Sequence, residues 1–327
     1  MINGILNIYK EKGYTSHDVV ARLRGIVGQK KIGHTGTLDP DAEGVLPVCL
    51  GRATKVCDLL TDKDKTYEAV LLLGKSTDTQ DISGTVLEEK STGGITEEMT
   101  EACVRSFIGD YDQIPPMYSA LKVGGKKLYE LAREGKTVER KSRRVTIYDI
   151  RIKETVLPRI RMEVDCSKGT YIRTLCHDIG EKLGTGGCME SLLRTKAGMF
   201  SIGESLRLDQ VEATVKAGKL SDILRPVDCV FQDLEPLRVR PEAESLARNG
   251  NPLTHRQVRS GVHSGVHSEI DPGIHPGDLQ EDRKPSGEHS GKYTGRYRVY
   301  DTEGNFIGIY SYDGERHLFR PEKMFLL

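Results

Sequence analysis

Apolar positions recur along the chain with two different periods, and the switching between them predicts an α+β body. Ile5-Leu-Asn-Ile-Tyr9 reads as a short strand, and Ser16 to Val27 places Val19, Val20, Leu23 and Val27 on one side of a helix that Ser16 would cap. Gly44 to Gly51 and Thr66 to Gly74 are apolar runs that suit buried strands. Residues 97–108 return to helical spacing. Val145 to Ile152 and Arg159 to Cys166 alternate as half-exposed strands do, and Tyr171 to Leu183 then takes a helical period that stops at Gly184. That strand-to-helix junction is a natural place for reactive side chains. Past Glu235 come short strands, including Gly291 to Tyr300 and Phe306 to Tyr310, which predict a small β-rich C-terminal domain with its boundary near residue 235.

Two segments depart from this pattern. Residues 113–144 run through Pro115-Pro-Met-Tyr-Ser-Ala-Leu-Lys122, a Gly-Gly turn and a cluster of Lys and Arg, and read as an extended basic arm containing a short helix. Residues 254–290 hold five of the nine His and repeat Gly-Val-His-Ser twice; with few large apolar residues they read as an inserted loop without a core. No fixed ligand geometry is visible there, so no metal site is assigned. The formal charge of zero, 48 basic against 48 acidic residues, speaks at first against a polyanionic partner. It is an average over unlike regions: residues 71–120 carry 3 basic and 9 acidic side chains, whereas residues 121–200 carry 18 and 10. A nucleic acid would feel the second field. The seven cysteines form no Cys-x-x-Cys pair and are odd in number, which argues against a zinc ribbon or a complete disulfide framework and suits reduced thiols in a cytoplasm. The start of the chain lacks a signal-peptide pattern and no 18-residue apolar stretch occurs, so a cytoplasmic protein with no membrane role is expected.

Candidate chemistry concentrates in Gly33-His-Thr-Gly-Thr-Leu-Asp39-Pro-Asp-Ala-Glu-Gly44, a glycine-dense stretch that presents a carboxylate just before a buried strand. Pro40 biases Asp39 toward an extended backbone and removes one nearby N–H donor. From the residues alone, the stretch is either a turn capped by Asp39 or a site that holds an acid still. A phosphate loop is poorly supported, since no Gly-Lys-Ser/Thr follows.

This segment resembles the catalytic motif of pseudouridine synthases, G-x-x-D-x-x-A-x-G, met by Gly36, Asp39, Ala42 and Gly44, and the string Gly-His-Thr-Gly-Thr-Leu-Asp-Pro is similar to that of the TruB family of tRNA pseudouridine-55 synthases. Lys65-Thr-Tyr67, Thr77-Asp-Thr-Gln-Asp81, the Pro115 to Lys122 segment, Ser167-Lys-Gly-Thr-Tyr171-Ile-Arg173 and Leu192-Leu-Arg-Thr195 follow in the family's order, so the likeness covers roughly residues 1–210. It implies a pseudouridine synthase fold with a mixed, largely antiparallel sheet over residues 1–235. A PUA-like RNA-binding domain would follow at 236–327, interrupted by the His-rich loop. The implied reaction is isomerisation of uridine 55 in the T loop of tRNA, by a monomer without a metal or organic cofactor.

The same resemblance implies roles for individual residues. Asp39 would be the essential aspartate, acting as nucleophile or as base; Arg173 would pair with it, lower its pKa and orient it through forked hydrogen bonds. Tyr67 would stack on the target base, a place where the residue alone reads as core. His34 would fill the gap left by a flipped base, Tyr171, Leu192 and Asp81 would line the nucleotide site, and Lys10 would bind substrate, although Glu11 stands where the family has proline. Lys122, Lys126, Lys127, Arg143 and Arg144, with Arg140 and Lys141, would meet T-arm phosphates. Two other readings fit the resemblance: an RNA-binding helper of tRNA folding, and a guide-dependent synthase that needs partner proteins.

Overall fold

The computed structural model describes residues 1–260 and 293–326. They form two compact units that divide between Arg225 and Pro226.

In the first unit, β1 (Gly4–Lys10) leads into helix α1 (Ser16–Val27), and β2 (Ile32–His34) pairs with β3 (Glu43–Leu50) so that the Asp39 segment is the connection between them. The short α2 (Cys57–Thr61) precedes β4 (Lys65–Leu73); β5 (Lys75–Thr77) and β6 (Val86–Glu89) make a separate hairpin around Asp81. Next come α3 (Glu97–Arg105) and β7 (Gly109–Gln113), then the basic arm with β8 (Lys122–Val123), β9 (Lys126–Lys127) and α4 (Leu128–Arg133). The hairpin of β10 (Arg143–Val156) and β11 (Arg159–Cys166) is followed by α5 (Ile172–Lys182), β12 (Gly187–Ala197), β13 (Phe200–Ser201), α6 (Leu208–Lys216) and α7 (Leu220–Ile223).

The main sheet runs β1-β3-β12-β4-β11-β10-β7, with β2 on β3 and β13 on β12. Every pairing in it is antiparallel except β12 with β3, so the sheet is mixed and largely antiparallel, as expected. Alternate residues of β4, namely Tyr67, Ala69, Leu71 and Leu73, pack with Leu175 and Ile179 of α5 and with Val104 of α3. Full burial of Leu175 and Ile179 contributes roughly 1.5–3 kcal/mol each. A second core joins Leu6 and Ile8 of β1, Leu46 and Val48 of β3, and the apolar faces of α1 and α6.

β12 went unrecognised in the sequence although it lies between β3 and β4. Register shifts at Met189/Ser191 and Arg194/Lys196 break its alternation, so no clean period of two survives in Gly187 to Ala197. Its position matters for the site, because Arg194 sits opposite Gly44 on one side and Tyr67 on the other. A Cβ on Gly44, whose φ is +105°, would come within 2.2 Å of the Arg194 carbonyl oxygen, so only glycine allows the two strands this approach.

The α1 cap is also corrected. Thr15, not Ser16, accepts the Asp18 N–H at 3.1 Å, and the Asp18 carboxylate reaches back to Thr15 in a capping box. Ser16 is buried and its Oγ accepts the Leu38 N–H at 3.0 Å, which ties the helix start to the Asp39 loop.

The second unit contains β14 (Glu235–Val239), α8 (Glu244–Arg248), β15 (Leu253–Thr254), β16 (Val258–Ser260), β17 (Arg296–Tyr300), β18 (Phe306–Asp313) and β19 (Leu318–Met324). Among the described residues the strands form one sheet in the order β15-β19-β18-β17-β14-β16, the β-rich ending the sequence predicts. The division falls before residue 235 because Phe231 packs on Phe306 and Phe325, which draws the preceding turn into this unit. The inserted loop was expected from residue 254, yet Thr254 pairs with Leu318 and Val258–Ser260 pair with β14. Residues 261–290 of that tract lie outside the described residues.

Candidate active site

Asp39 sits on a loop fastened along its length. Leu38 and Ala42 are buried in the α5 core, the Ala42 N–H donates to the Asp39 carbonyl at 3.1 Å, and the Gly13 N–H donates to the Pro40 carbonyl at 2.9 Å. Thr35 donates to the Pro47 carbonyl through both its N–H, at 3.1 Å, and its hydroxyl, at 3.2 Å. Beneath the loop lies Lys10, with no exposed surface; its Nζ donates to the carbonyls of Ala42 at 2.5 Å, Pro40 at 3.0 Å and Glu11 at 3.2 Å. Burial lowers its pKa to about 8, with Glu43 and Asp39 opposing. Lys10 was expected to bind substrate. The structure instead directs all three of its donors to loop backbone, so it supports the residue that carries the carboxylate. Glu11, at the position of the family's proline, ion-pairs with Arg207.

Arg173 projects from the first turn of α5 and is 6% exposed in its side chain. Gln113 fixes that turn: its Oε1 accepts the Tyr171 N–H at 2.7 Å and its Nε2 donates to the Tyr171 carbonyl at 3.0 Å. The guanidinium does not fork onto Asp39 as expected. Its Nη2 lies 3.1 Å from Asp39 Oδ2 and donates to the Tyr118 carbonyl at 2.8 Å; its Nη1 lies 3.5 Å from Asp81 Oδ2 and donates to the Thr79 carbonyl at 3.1 Å. One arginine thereby bridges two carboxylates and two loops. Asp81 Oδ1 is held in turn by the Ser83 N–H at 3.0 Å and the Thr79 hydroxyl at 2.8 Å.

Arg173 lowers the pKa of Asp39 as expected, but the net shift is upward. Desolvation by the surrounding protein is the largest influence and raises its pKa; the Arg173 charge opposes this, while Asp81 adds to it. The side chain keeps 43% of its surface exposed, so a carboxylate that is reluctant to ionise still faces outward. Such a group suits a reactive role.

Tyr67 is 9% exposed on β4, and burial raises the pKa of its hydroxyl, opposed by the charge of Arg194. Arg194 is 1% exposed; its Nε donates to the Val45 carbonyl at 2.7 Å and its Nη2 to the Gly36 carbonyl at 3.3 Å. His34 stands at the start of the loop with the His17 ring edge-on to it at 5.4 Å. Burial, with help from His17 and Arg194, depresses its pKa and keeps the ring neutral at pH 7, and its buried Nδ1 has no hydrogen-bond partner. Leu192 is half-buried against the α5 core, and Tyr171 is half-buried at the N-cap of α5.

In the arm, Lys122 pairs with Lys127 across the Gly124-Gly125 turn. Lys122, Arg143 and Lys141 are exposed, and none of them has an ion pair among the described residues. Lys126 pairs with Glu134 at 3.1 Å, Arg144 with Asp112 at 3.2 Å, and Lys127 donates to the Tyr129 hydroxyl at 3.1 Å. Arg140 donates to the Pro115 carbonyl at 2.9 Å. The field at residues 121–200 is therefore partly neutralised locally. Among the described residues, no group of three or more His, Cys, Asp or Glu is arranged to hold a metal ion.

Sequence reasoning gave no site role to Ser16, read there as the helix cap, to Gln113, or to Arg194, quoted only within a motif. Each had a signal: a second hydroxyl at a helix start, an amide just before Pro-Pro, and a lone guanidinium after two leucines.

A mixed sheet that brings a loop aspartate, a buried arginine and a strand tyrosine together defines the class of pseudouridine synthases. Solved structures with the same fold include an H/ACA RNP bound to a substrate RNA containing 2′-deoxyuridine (TM-score 0.67, 22% identity, 99% of this chain and 85% of that chain). An archaeal box H/ACA sRNP Nop10-Cbf5 complex also has it (TM-score 0.65, 23% identity, 99% and 86%). Residues 24–172 match the TruB family pseudouridylate synthase N-terminal domain, and residues 173–232 match the tRNA pseudouridylate synthase B C-terminal domain. The tRNA pseudouridine synthase B of Lachnoclostridium phytofermentans is 49% identical over 99% of this chain and 100% of its own length, and that of Alkaliphilus oremlandii is 48% identical over 80% and 86%. The chain belongs to the TruB family of pseudouridylate synthases, and is thus an isomerase.

Proposed function

We propose that this chain converts uridine 55 in the T loop of tRNA to pseudouridine, acting as a single chain in the cytoplasm. The observation that carries the reading is the Asp39 carboxylate, outward-facing and 3.1 Å from the buried Arg173 guanidinium, in a chain whose relatives are named for tRNA pseudouridylation. In the reaction the bond from N1 to C1′ breaks, the base turns, C5 bonds to C1′, the C5 proton leaves and N1 gains one.

A uridine in a folded loop must first leave its stack, at a cost of a few kcal/mol. His34, neutral and planar, takes the vacated place, and Tyr67, Tyr171 and Leu192 receive the base and ribose. Asp39 then acts ionised, either on sugar or base as a nucleophile or on the ribose 2′ position as a base. Its raised pKa makes it a stronger base once ionised, and Arg173 preserves the ionised fraction at neutral pH. Lys122, Arg143 and their neighbours meet phosphates of the T arm, and the β-rich second unit serves as a PUA-like RNA support.

The test is incubation of the purified chain with unmodified tRNA, followed by mapping of pseudouridine. Product at position 55 without any added guide RNA or protein is the expected result; no product, or product only when a guide is supplied, would overturn the reading.

A further inference from the structure

Among the described residues, Arg194 is the largest fully buried side chain. A buried guanidinium ordinarily faces a carboxylate, because an uncompensated charge inside a protein is costly. Among the described residues no acidic group lies in ion-pairing range of Arg194; its hydrogen bonds go to two carbonyls, and it stands opposite Tyr67, whose hydroxyl pKa its charge lowers. Those partners lie at the places where the site is assembled. Gly36 begins the Asp39 loop, Val45 is on the strand that follows it, and Tyr67 is on the neighbouring strand.

Among the described residues β12 is the only strand that borders both β3 and β4, and Arg194 is the residue of β12 opposite both Gly44 and Tyr67. The end of the motif loop is shaped around it: Gly44 lacks the Cβ that would strike the Arg194 backbone. A hydrophobic residue of similar size would fill the space without the cost of a buried charge. What only a guanidinium supplies is several donors in one plane, aimed at a carbonyl of the acid-bearing loop and at the phenol of the adjacent strand.

We propose that Arg194 is a positioning residue that fixes the Tyr67 hydroxyl relative to the Asp39 loop, so that phenol and carboxylate address the same nucleoside. This rests on the proposed reaction and adds to it a residue that touches neither sugar nor base. Arg194 acts through Tyr67, so loss of the guanidinium slows the chemical step and leaves RNA binding in place. The phosphate-facing arm is untouched by such a change.

The experiment measures single-turnover pseudouridine formation on saturating unmodified tRNA, and the Kd for that tRNA, with wild type, Arg194→Lys, Tyr67→Phe and the double variant. Each single change is expected to slow the step by about 100-fold. The Kd should stay within about threefold, a change of less than 1 kcal/mol. The double variant should be no slower than the slower single, a coupling of about 100-fold. Arg194→Gln, which keeps a planar amide donor, carries the same comparison if the lysine variant does not fold by circular dichroism. Losses that multiply in the double variant, a wild-type rate in Arg194→Lys, or a fall in affinity equal to the fall in rate would each overturn the proposal. A wild-type chain that forms no pseudouridine would instead overturn the proposed reaction, so the two failures are distinguishable.

Discussion

Replacement of Arg173 separates its structural contribution from its electrostatic one. In Arg173→Lys a point charge replaces a planar fork that serves two carboxylates and two carbonyls. An ammonium on a shorter reach cannot hold both loops, so at least one buried carbonyl loses its donor, at about 1–3 kcal/mol, with a further loss from the weaker ion pairs. A total of about 2–4 kcal/mol corresponds to a fall in thermal midpoint of about 10 °C for a unit of this size. The rate should fall by about 100-fold or more, because the carboxylate is no longer held in place. The pH profile is the sharper readout. Burial raises the pKa of Asp39 and the Arg173 charge is the largest influence opposing this, so removing the charge in Arg173→Ala moves the acid limb of kcat/KM upward. Arg173→Lys, which keeps the charge, should move it less. An unchanged acid limb in a folded Arg173→Ala protein, or an Arg173→Lys protein within about threefold of wild type, a difference below 1 kcal/mol, would refute this reasoning.

Asp39→Asn should also change stability. Because the folded pKa of Asp39 is raised, its ionisation disfavours folding: the penalty is absent at pH values below the ordinary carboxylate pKa, grows as pH rises through the window up to the folded value, and is constant above it. Thermal midpoints of the Asn variant should therefore exceed wild type at pH 7 and converge with it in acid; a lower midpoint at pH 7 contradicts the assigned burial. Gly44→Ala forces a Cβ to within 2.2 Å of the Arg194 carbonyl oxygen at a φ of +105°, and should lower both stability and turnover, whereas Gly25→Ala on α1, with open space around its Cβ, should lower neither. Lys122→Ala with Arg143→Ala should weaken tRNA binding and reduce the slope of log K against log salt by about 1–2, with the single-turnover rate at saturation preserved. An unchanged slope would remove the arm from the interface.

The course of the sheet was legible in the sequence wherever strands kept a simple pattern, as in β4 and β11, and the helical period of α5 was equally plain. β12 was not, because its bulges interrupt the alternation and Arg194 within it is a charged residue that the fold buries. The acid-bearing loop stood out through its glycines and Pro40, and the ordered motifs pointed to Arg173 and Tyr67. The direction of the Asp39 shift could not be read in the same way. It depends on how much protein surrounds the carboxylate, a property of packing across three loops, whereas the sequence shows only that an arginine is nearby. The same holds for Lys10: the sequence suggests a substrate-binding lysine, and only the folded loop shows its three carbonyl partners.

The most direct measurement is a comparison of wild type and Asp39→Asn on unmodified tRNA, with the rate of pseudouridine formation and the dissociation constant taken from the same samples. The substitution preserves the shape of the side chain and removes its negative charge. Complete loss of product with the affinity for tRNA retained is the expected result, and product formed at the wild-type rate by the Asn protein would contradict the central place given to this carboxylate.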